Sequence, residues 1–368
     1  MLILKKSEEN TVSLIGNKLK IEIFGASHAE CIGVNIYGFP KNFSVDFDSI
    51  MVQMARRAPG NGAYGTTRKE PDIPVIESGI ENGVTNGEVI KAVIYNTNQH
   101  SKDYENLKIV PRPAHADYTA YVKFCGKEDM RGGGKFSGRL TAPLVFAGAL
   151  CRQLLKTKGI EIAAHVKSIG DINDDSFDYV NPSRDLMQSL SQIPFAVINE
   201  NKKAEMLELM AECRKNLDSV AGSVELVATG IPVGLCDGLF DGFEGKTAPY
   251  FFGIPAVKSV HYGKIMPYGS QNNDEFCVVD GKVVTKTNNC GGILGGITNG
   301  MPIVLTVDFK PTPSISRPQM SVDMATLSPC ELVIKGRHDP CVVPRAVVCV
   351  ESAFAVALCD IMLCENKL

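Results

Sequence analysis

Arg131 to Arg139 (Arg-Gly-Gly-Gly-Lys-Phe-Ser-Gly-Arg) places three cationic side chains around three consecutive glycines, just ahead of a long apolar, helix-like run. Glycine lets backbone N–H groups approach an anion closely, and a helix start adds more N–H groups and a positive dipole. Arginine meets phosphate oxygens with paired donors. Upstream, Arg112-Pro-Ala-His-Ala-Asp117 puts His115 in a stiffened loop. An unperturbed imidazole titrates at about 6.5, which makes it the natural proton donor near neutrality. Together they suit a phosphorylated ligand whose reaction needs a proton. A surface loop with a capped helix is the plainer alternative for the glycine segment, and these residues alone leave both open.

Further segments could contribute. His28 closes Gly25-Ala-Ser-His, a run of small residues after an alternating strand pattern that would let a ligand come close. Gly336-Arg-His-Asp-Pro340, with Arg345 beyond, is either an exposed charged turn or a carboxylate poised against cations. Lys310-Pro-Thr-Pro-Ser314 is a proline-stiffened loop with a cation and two hydroxyls. Cys290 to Gly300 is glycine-dense in an apolar setting, as if packed against something flat or against itself. His165 and His261 lie among strand-like residues and read as structural.

These groups must be held by a scaffold, and the composition describes it. At 368 residues, 44% hydrophobic and 21% charged, the chain is a soluble globular protein with ample core. Its 38 basic and 41 acidic residues give a net charge of −3, which offers no electrostatic case for nucleic acid or a membrane surface. Local clusters such as Arg56-Arg57, and Arg131 with Lys135 and Arg139, instead suit a small anion. The twelve cysteines include no Cys-x-x-Cys pair, so they read as buried thiols in a reducing cytoplasm, with no metal site. Ala346 to Leu363 is the longest apolar run, and Glu351 and Asp360 within it argue for a core helix over a membrane span.

Along the chain, residues 1–13 read as a weakly ordered lead-in to a single unit over 14–368. Asp46 to Arg57 reads as a helix whose basic end complements the dipole. Asn82-Gly83 and Asn86-Gly87 signal hairpins between β-branched runs. Ser137 is positioned to cap a helix running to Lys158, with a strand at 160–166 after Gly159. Helices are read at 205–216 and from Ala346, and strands at 224–231 and 303–309. No Gly-x-Gly-x-x-Gly fingerprint follows a strand, and strands and helices do not alternate regularly, so the fold class is α+β. A phosphotransferase is disfavoured because Phe136, not Ser or Thr, follows Lys135. A purely binding or assembly role would not need the titrating groups.

Taken in order, these segments resemble the chorismate synthase family. The motifs are Gly25-Ala-Ser-His28, Arg56-Arg-Ala-Pro-Gly60, Thr67 to Asp72, Asn96 to Tyr104, Arg112 to Asp117, Arg131 to Gly134, Ser270 to Asp274, Gly291 to Ile297, Lys310 to Ser314 and Gly336 to Pro340. The resemblance implies a β-α-β sandwich with helices between antiparallel sheets, assembled as a homotetramer. It implies 1,4-elimination of phosphate from 5-enolpyruvylshikimate 3-phosphate to give chorismate, with reduced FMN. NAD(P)H enters only if the enzyme reduces its own flavin. It further implies His28 beside the flavin, His115 at the departing phosphate and Asp339 in proton handling. Flavin contacts would fall at Lys135, Phe136, Ser137, Gly295, Lys310, Pro311, Thr312, Pro313, Ser314 and Arg337, and substrate contacts at Arg57, Arg139 and Arg345. Ala26, Ala29, Ala63, Ala114 and Lys135-Phe136 depart from the common pattern and are expected to alter affinity without abolishing activity.

Overall fold

A computed structural model describes residues 13–60, 72–96, 109–334 and 339–368. The lead-in at 1–12, Ala63, most of the 67–72 and 96–104 motifs, and residues 336–338 lie outside the described residues.

Two five-stranded antiparallel sheets enclose a helical layer, as expected of a β-α-β sandwich. The first contains β1 (Ser13–Ile15), β2 (Lys20–Gly25), β3 (Cys31–Tyr37), β4 (Val75–Ser78) and β7 (Ile90–Tyr95), in the order β1-β2-β3-β7-β4. A small hairpin of β5 (Ile80–Glu81) and β6 (Val84–Thr85) turns on Asn82-Gly83, both at positive φ, as the sequence signal predicts. Asn86-Gly87 differs: it leads from β6 to β7, which pair with other strands, and the Asn86 side chain accepts the Glu88 N–H in a local turn. The second sheet has β8 (Glu161–Ile169), β9 (Ile172–Asn173), β10 (Gly222–Thr229), β11 (Val257–Tyr262) and β16 (Ile303–Phe309), ordered β11-β16-β10-β8-β9. Three two-stranded pairs complete the strands: β12 (Phe276–Val279) with β13 (Lys282–Thr285), β14 (Ile293–Leu294) with β15 (Ile297–Thr298), and β17 (Gln319–Asp323) with β18 (Ser328–Leu332).

Between the sheets lie α1 (Phe47–Arg57), α3 (Thr141–Lys156) and α8 (Val343–Cys364); α3 packs on β3 and β7, and α8 on β8 and β10. Both long helices are apolar nearly all round because each is covered on every side. Gly148 lets them approach, since a Cβ there would stand 2.2 Å from the Ser352 side chain. The remaining helices are α2 (Asp117–Lys123), α4 (Arg184–Leu190), α5 (Glu200–Lys215), α6 (Phe243–Phe252) and α7 (Gly269–Asn272). Helix α5 begins five residues before the sequence reading, because Asn199 caps it. Ser137 does cap, but it caps a 3-10 turn at Gly138–Leu140 that leads into α3.

Helix α8 is long and apolar enough to cross a membrane, yet it is buried in the core. Its two acids have internal partners. Asp360 accepts the backbone N–H groups of Asn17, Lys18 and Leu19 at 2.9–3.0 Å, tying the entry of β2 to α8. Glu351 receives Arg56 and Arg152. The basic end of α1 therefore does more than complement a dipole: Arg56 and Arg57 are both buried among specific acceptors.

Candidate active site

One large cavity, of ≈ 580 Å³, opens where the end of α1, the 112–116 loop, the glycine segment, the 252–257 turn, the 309–314 loop and the start of α8 converge. Its wall carries six cationic side chains, Arg57, Arg112, Lys135, Arg139, Lys310 and Arg345, against a single carboxylate, Asp339, among the described residues. Two further carboxylates, Asp72 and Asp117, stand behind the arginines and orient them.

The glycine segment shapes the floor. Gly132, Gly133 and Gly134 have φ of 59°, 90° and 52°, a region that L side chains rarely occupy. A Cβ on Gly132 would lie 2.3 Å from the His28 ring, and one on Gly133 would lie 3.3 Å from His115 Nε2. The two histidines thus flank adjacent glycines, which bring their rings close to one stretch of backbone. The Ser27 N–H donates to the Gly134 carbonyl at 3.2 Å and fixes the His28 turn against it. His28 itself is buried just behind the wall residue Gly132.

Arg112, His115 and Asp117 form a compact network. Arg112 donates to Asp117 through Nε and Nη2, both at 2.7 Å, and to Ser314 Oγ at 3.1 Å. His115 Nδ1 is 2.7 Å from Asp117 Oδ1 and 3.1 Å from Arg112 Nη2. The Asp117 carboxylate can only accept, so the shorter bond to it puts a proton on Nδ1; Arg112 Nη2, which can only donate, is then a close neighbour of that nitrogen and not its donor, and Nε2 is directed toward the glycine floor. Burial pushes the Asp117 carboxyl up, but the bonds from Arg112 and His115 outweigh it and hold it well below the usual range.

On the opposite wall, Arg57 donates to Thr141 Oγ1 at 3.1 Å and the Gly138 carbonyl at 3.0 Å, and it pairs with Asp72. Arg139 pairs with the other oxygen of Asp72 and donates to Asn96 Oδ1 at 3.1 Å. Burial raises the Asp72 carboxyl, and the two arginines more than reverse the shift. Lys135 Nζ lies 3.6 Å from the centre of the Phe124 ring and 3.4 Å from Glu128. Lys310 donates to the Ala114 carbonyl, joining its loop to that of His115; burial, with Lys258 nearby, lowers its ammonium pKa. Asp339 pairs with Arg345 at the start of α8.

Of the residues expected from sequence, the cavity wall gathers His115, Asp339, Arg57, Arg139, Arg345, Lys135, Phe136, Ser137, Lys310, Thr312, Pro313 and Ser314. Three of the expected residues are off this wall: His28 sits behind Gly132, Gly295 turns the β14–β15 hairpin beside Gly238 because the glycine-dense run folds on itself, and Pro311 is exposed; Arg337 lies outside the described residues. Arg131, read as part of the cationic cluster, is half-exposed and paired with Asp129. Sequence reasoning gave no role to Arg112, Asp72, Asn96 or Thr141. Arg112 and Asp72 lie in quoted motifs, but no local spacing links Asp72 to Arg57 and Arg139.

A cavity this cationic, with an imidazole held by a carboxylate inside an α+β sandwich, suits a small anionic ligand and proton chemistry. Comparison with known proteins narrows the class. The chorismate synthase family model matches residues 19–363. A chorismate synthase of Dehalococcoides mccartyi is 40% identical over 353 residues, covering 95% of this chain and 96% of that protein. One from Pyrococcus abyssi is 42% identical over 352 residues, covering 95% and 97%. A crystal structure of a chorismate synthase superposes with a TM-score of 0.75 at 26% identity, covering 95% of this chain and 93% of that one. The chain belongs to the chorismate synthase family, carbon–oxygen lyases of aromatic biosynthesis.

Proposed function

We propose that this cavity converts 5-enolpyruvylshikimate 3-phosphate to chorismate by a 1,4-elimination in which the ring loses a proton and inorganic phosphate leaves as its ester C–O bond breaks, with reduced flavin mononucleotide bound alongside. The observation that carries the reading is His115, held by Asp117 against the glycine floor of a cavity lined with six cations. Negative charge grows on the phosphate oxygens as the C–O bond breaks. Fixed guanidiniums stabilise that charge, and with Nδ1–H held by Asp117, a second ring proton carried on His115 Nε2 makes phosphate a better leaving group. Arg57, Arg139 and Arg345 are the arginines assigned to the substrate's anionic groups.

The wall also fits a flavin phosphate and ring. Thr312 Oγ1 is buried on it without a hydrogen-bond partner among the described residues, and Phe136, Phe252 and Ile254 supply flat or apolar surface. Lys135, Ser137, Lys310, Pro313 and Ser314 stand beside them. Bound there, reduced flavin would supply electron density to an allylic system that is losing an anion, although the reaction has no net redox change. In this reading His28, behind Gly132, keeps a proton available to the flavin, and Asp339, paired with Arg345, would handle the proton at flavin N5. Residues 14–368 act as one catalytic unit, in a cytoplasmic homotetramer. All twelve cysteines are free thiols, which fits a reducing compartment.

The test is phosphate release from 5-enolpyruvylshikimate 3-phosphate by the purified chain with chemically reduced flavin under anaerobic conditions. His115→Ala should lower kcat by about 10²–10⁴-fold with KM nearly unchanged. A mutant with wild-type turnover would remove His115 from the mechanism. Adding NAD(P)H with oxidised flavin shows whether the enzyme reduces its own cofactor.

A further inference from the structure

We infer that Asp72 is a positioning residue that holds Arg57 and Arg139 side by side as a two-pronged clamp for the substrate's phosphate group. The inference deepens the proposed function and rests on it.

Asp72 is off the cavity wall and its side chain is fully buried, so it cannot touch the substrate. Its Oδ2 receives Arg57 from the last turn of α1, and its Oδ1 receives Arg139 from the 3-10 turn before α3. The two guanidiniums come from elements far apart in sequence, each only 4–5% exposed, and both line the cavity. Two cations brought this close repel one another unless an anion lies between them. The remaining anchors fix the plane of each fork: Thr141 Oγ1 and the Gly138 carbonyl for Arg57, Asn96 Oδ1 for Arg139. Asp72 also sits at φ 49°, a left-handed conformation that Asp adopts more readily than most residues. Its two carboxylate oxygens each take one arginine.

Charge alone makes the opposite prediction. Removing the Asp72 carboxylate adds net positive charge and would, by itself, tighten phosphate binding. Two variants separate the effects. Asp72→Glu keeps the charge and displaces the bridge by one methylene; Asp72→Asn removes the charge. The probe is inorganic phosphate, titrated calorimetrically into the purified full chain, with substrate kinetics measured in parallel. Asp72→Glu should bind phosphate about tenfold more weakly, with substrate KM rising by a similar factor and kcat changing less. Asp72→Asn should shift in the same direction. A Glu variant with wild-type phosphate affinity, or a loss confined to kcat or thermal stability with KM unchanged, overturns the inference; should the Asn variant fail to fold, the Glu variant decides. Wild-type enzyme that binds phosphate but forms no chorismate would sink the proposed reaction and leave the clamp standing.

Discussion

Two carboxylates in this molecule each sit between two arginines, and their surroundings give them opposite work. Glu351, in the middle of α8, accepts from Arg56 and Arg152; Asp72 accepts from Arg57 and Arg139. Arg56 and Arg57 are neighbours on one helix, about 100° apart around its axis. Around Glu351 the arginines also meet protein acceptors: Arg56 reaches the Ile193 and Leu190 carbonyls and Gln53, and Arg152, 18% exposed at a smaller cavity, reaches the Ile162 carbonyl. Glu351 even accepts the Ala164 N–H at 3.0 Å, joining α8 to β8. The Asp72 group is equally buried but borders the cavity on one side. The same ionic motif joins α1, α3 and α8 at Glu351, and at Asp72 it carries the proposed clamp on the wall of the large cavity.

The largest test of that contrast is Glu351→Gln. It leaves the buried Arg56 and the part-buried Arg152 short of an anion and should destabilise the fold by about 3–5 kcal/mol in urea denaturation, with substrate KM unchanged for the folded fraction. If the variant raised KM at native stability, the two sites would not differ in kind. Next come paired Arg→Lys changes, which keep charge but lose the fork. Arg139→Lys should raise substrate KM by about tenfold. Arg152→Lys should leave KM alone and lower the unfolding free energy by about 1–2 kcal/mol. Equal effects of the two on KM would break the comparison.

The smallest effect uses the mirror arrangement, one buried cation between two carboxylates. His165 on β8 is 2.8 Å from Asp174 through Nδ1 and 3.1 Å from Glu225 through Nε2. Burial lowers its pKa, but the two carboxylates overcome that and raise it. Its stabilisation is fully present below its unfolded value of about 6.5 and is lost as pH rises through the raised folded value. Glu351 and Asp72, both lowered in the fold, behave oppositely: their stabilisation is present above about 4 and is lost as pH falls through their folded values. Unfolding free energy measured from pH 6 to 9 should therefore decline by about 1.4 kcal/mol per unit of His165 shift. A flat profile would mean that His165 folds in its neutral form.

The sequence was legible where local chemistry dictates local structure. Three glycines between cations did mark the cavity floor, Asn82-Gly83 did turn a hairpin, and Glu351 and Asp360 did distinguish a core helix from a span. His165 was rightly read as structural, since the fold seals both its nitrogens. Pairing across the chain was not legible. Nothing near Asp72 announces Arg139, and Arg56 looks identical to Arg57 until the helix is placed. Gly295 turns its own hairpin off the large cavity, a use of glycine that local sequence does not separate from ligand contact.

The bond from Asp360 to the backbone of Asn17, Lys18 and Leu19 spans 343 residues from Asn17. During synthesis the ribosome must add α8 before the start of β2 can be secured, so the turn between β1 and β2 stays untied to the core through nearly all of translation. Contacts of such long sequence separation slow folding. Nascent chains halted before Asp360 should therefore remain open to proteases at their earliest strand, however well their middle has packed.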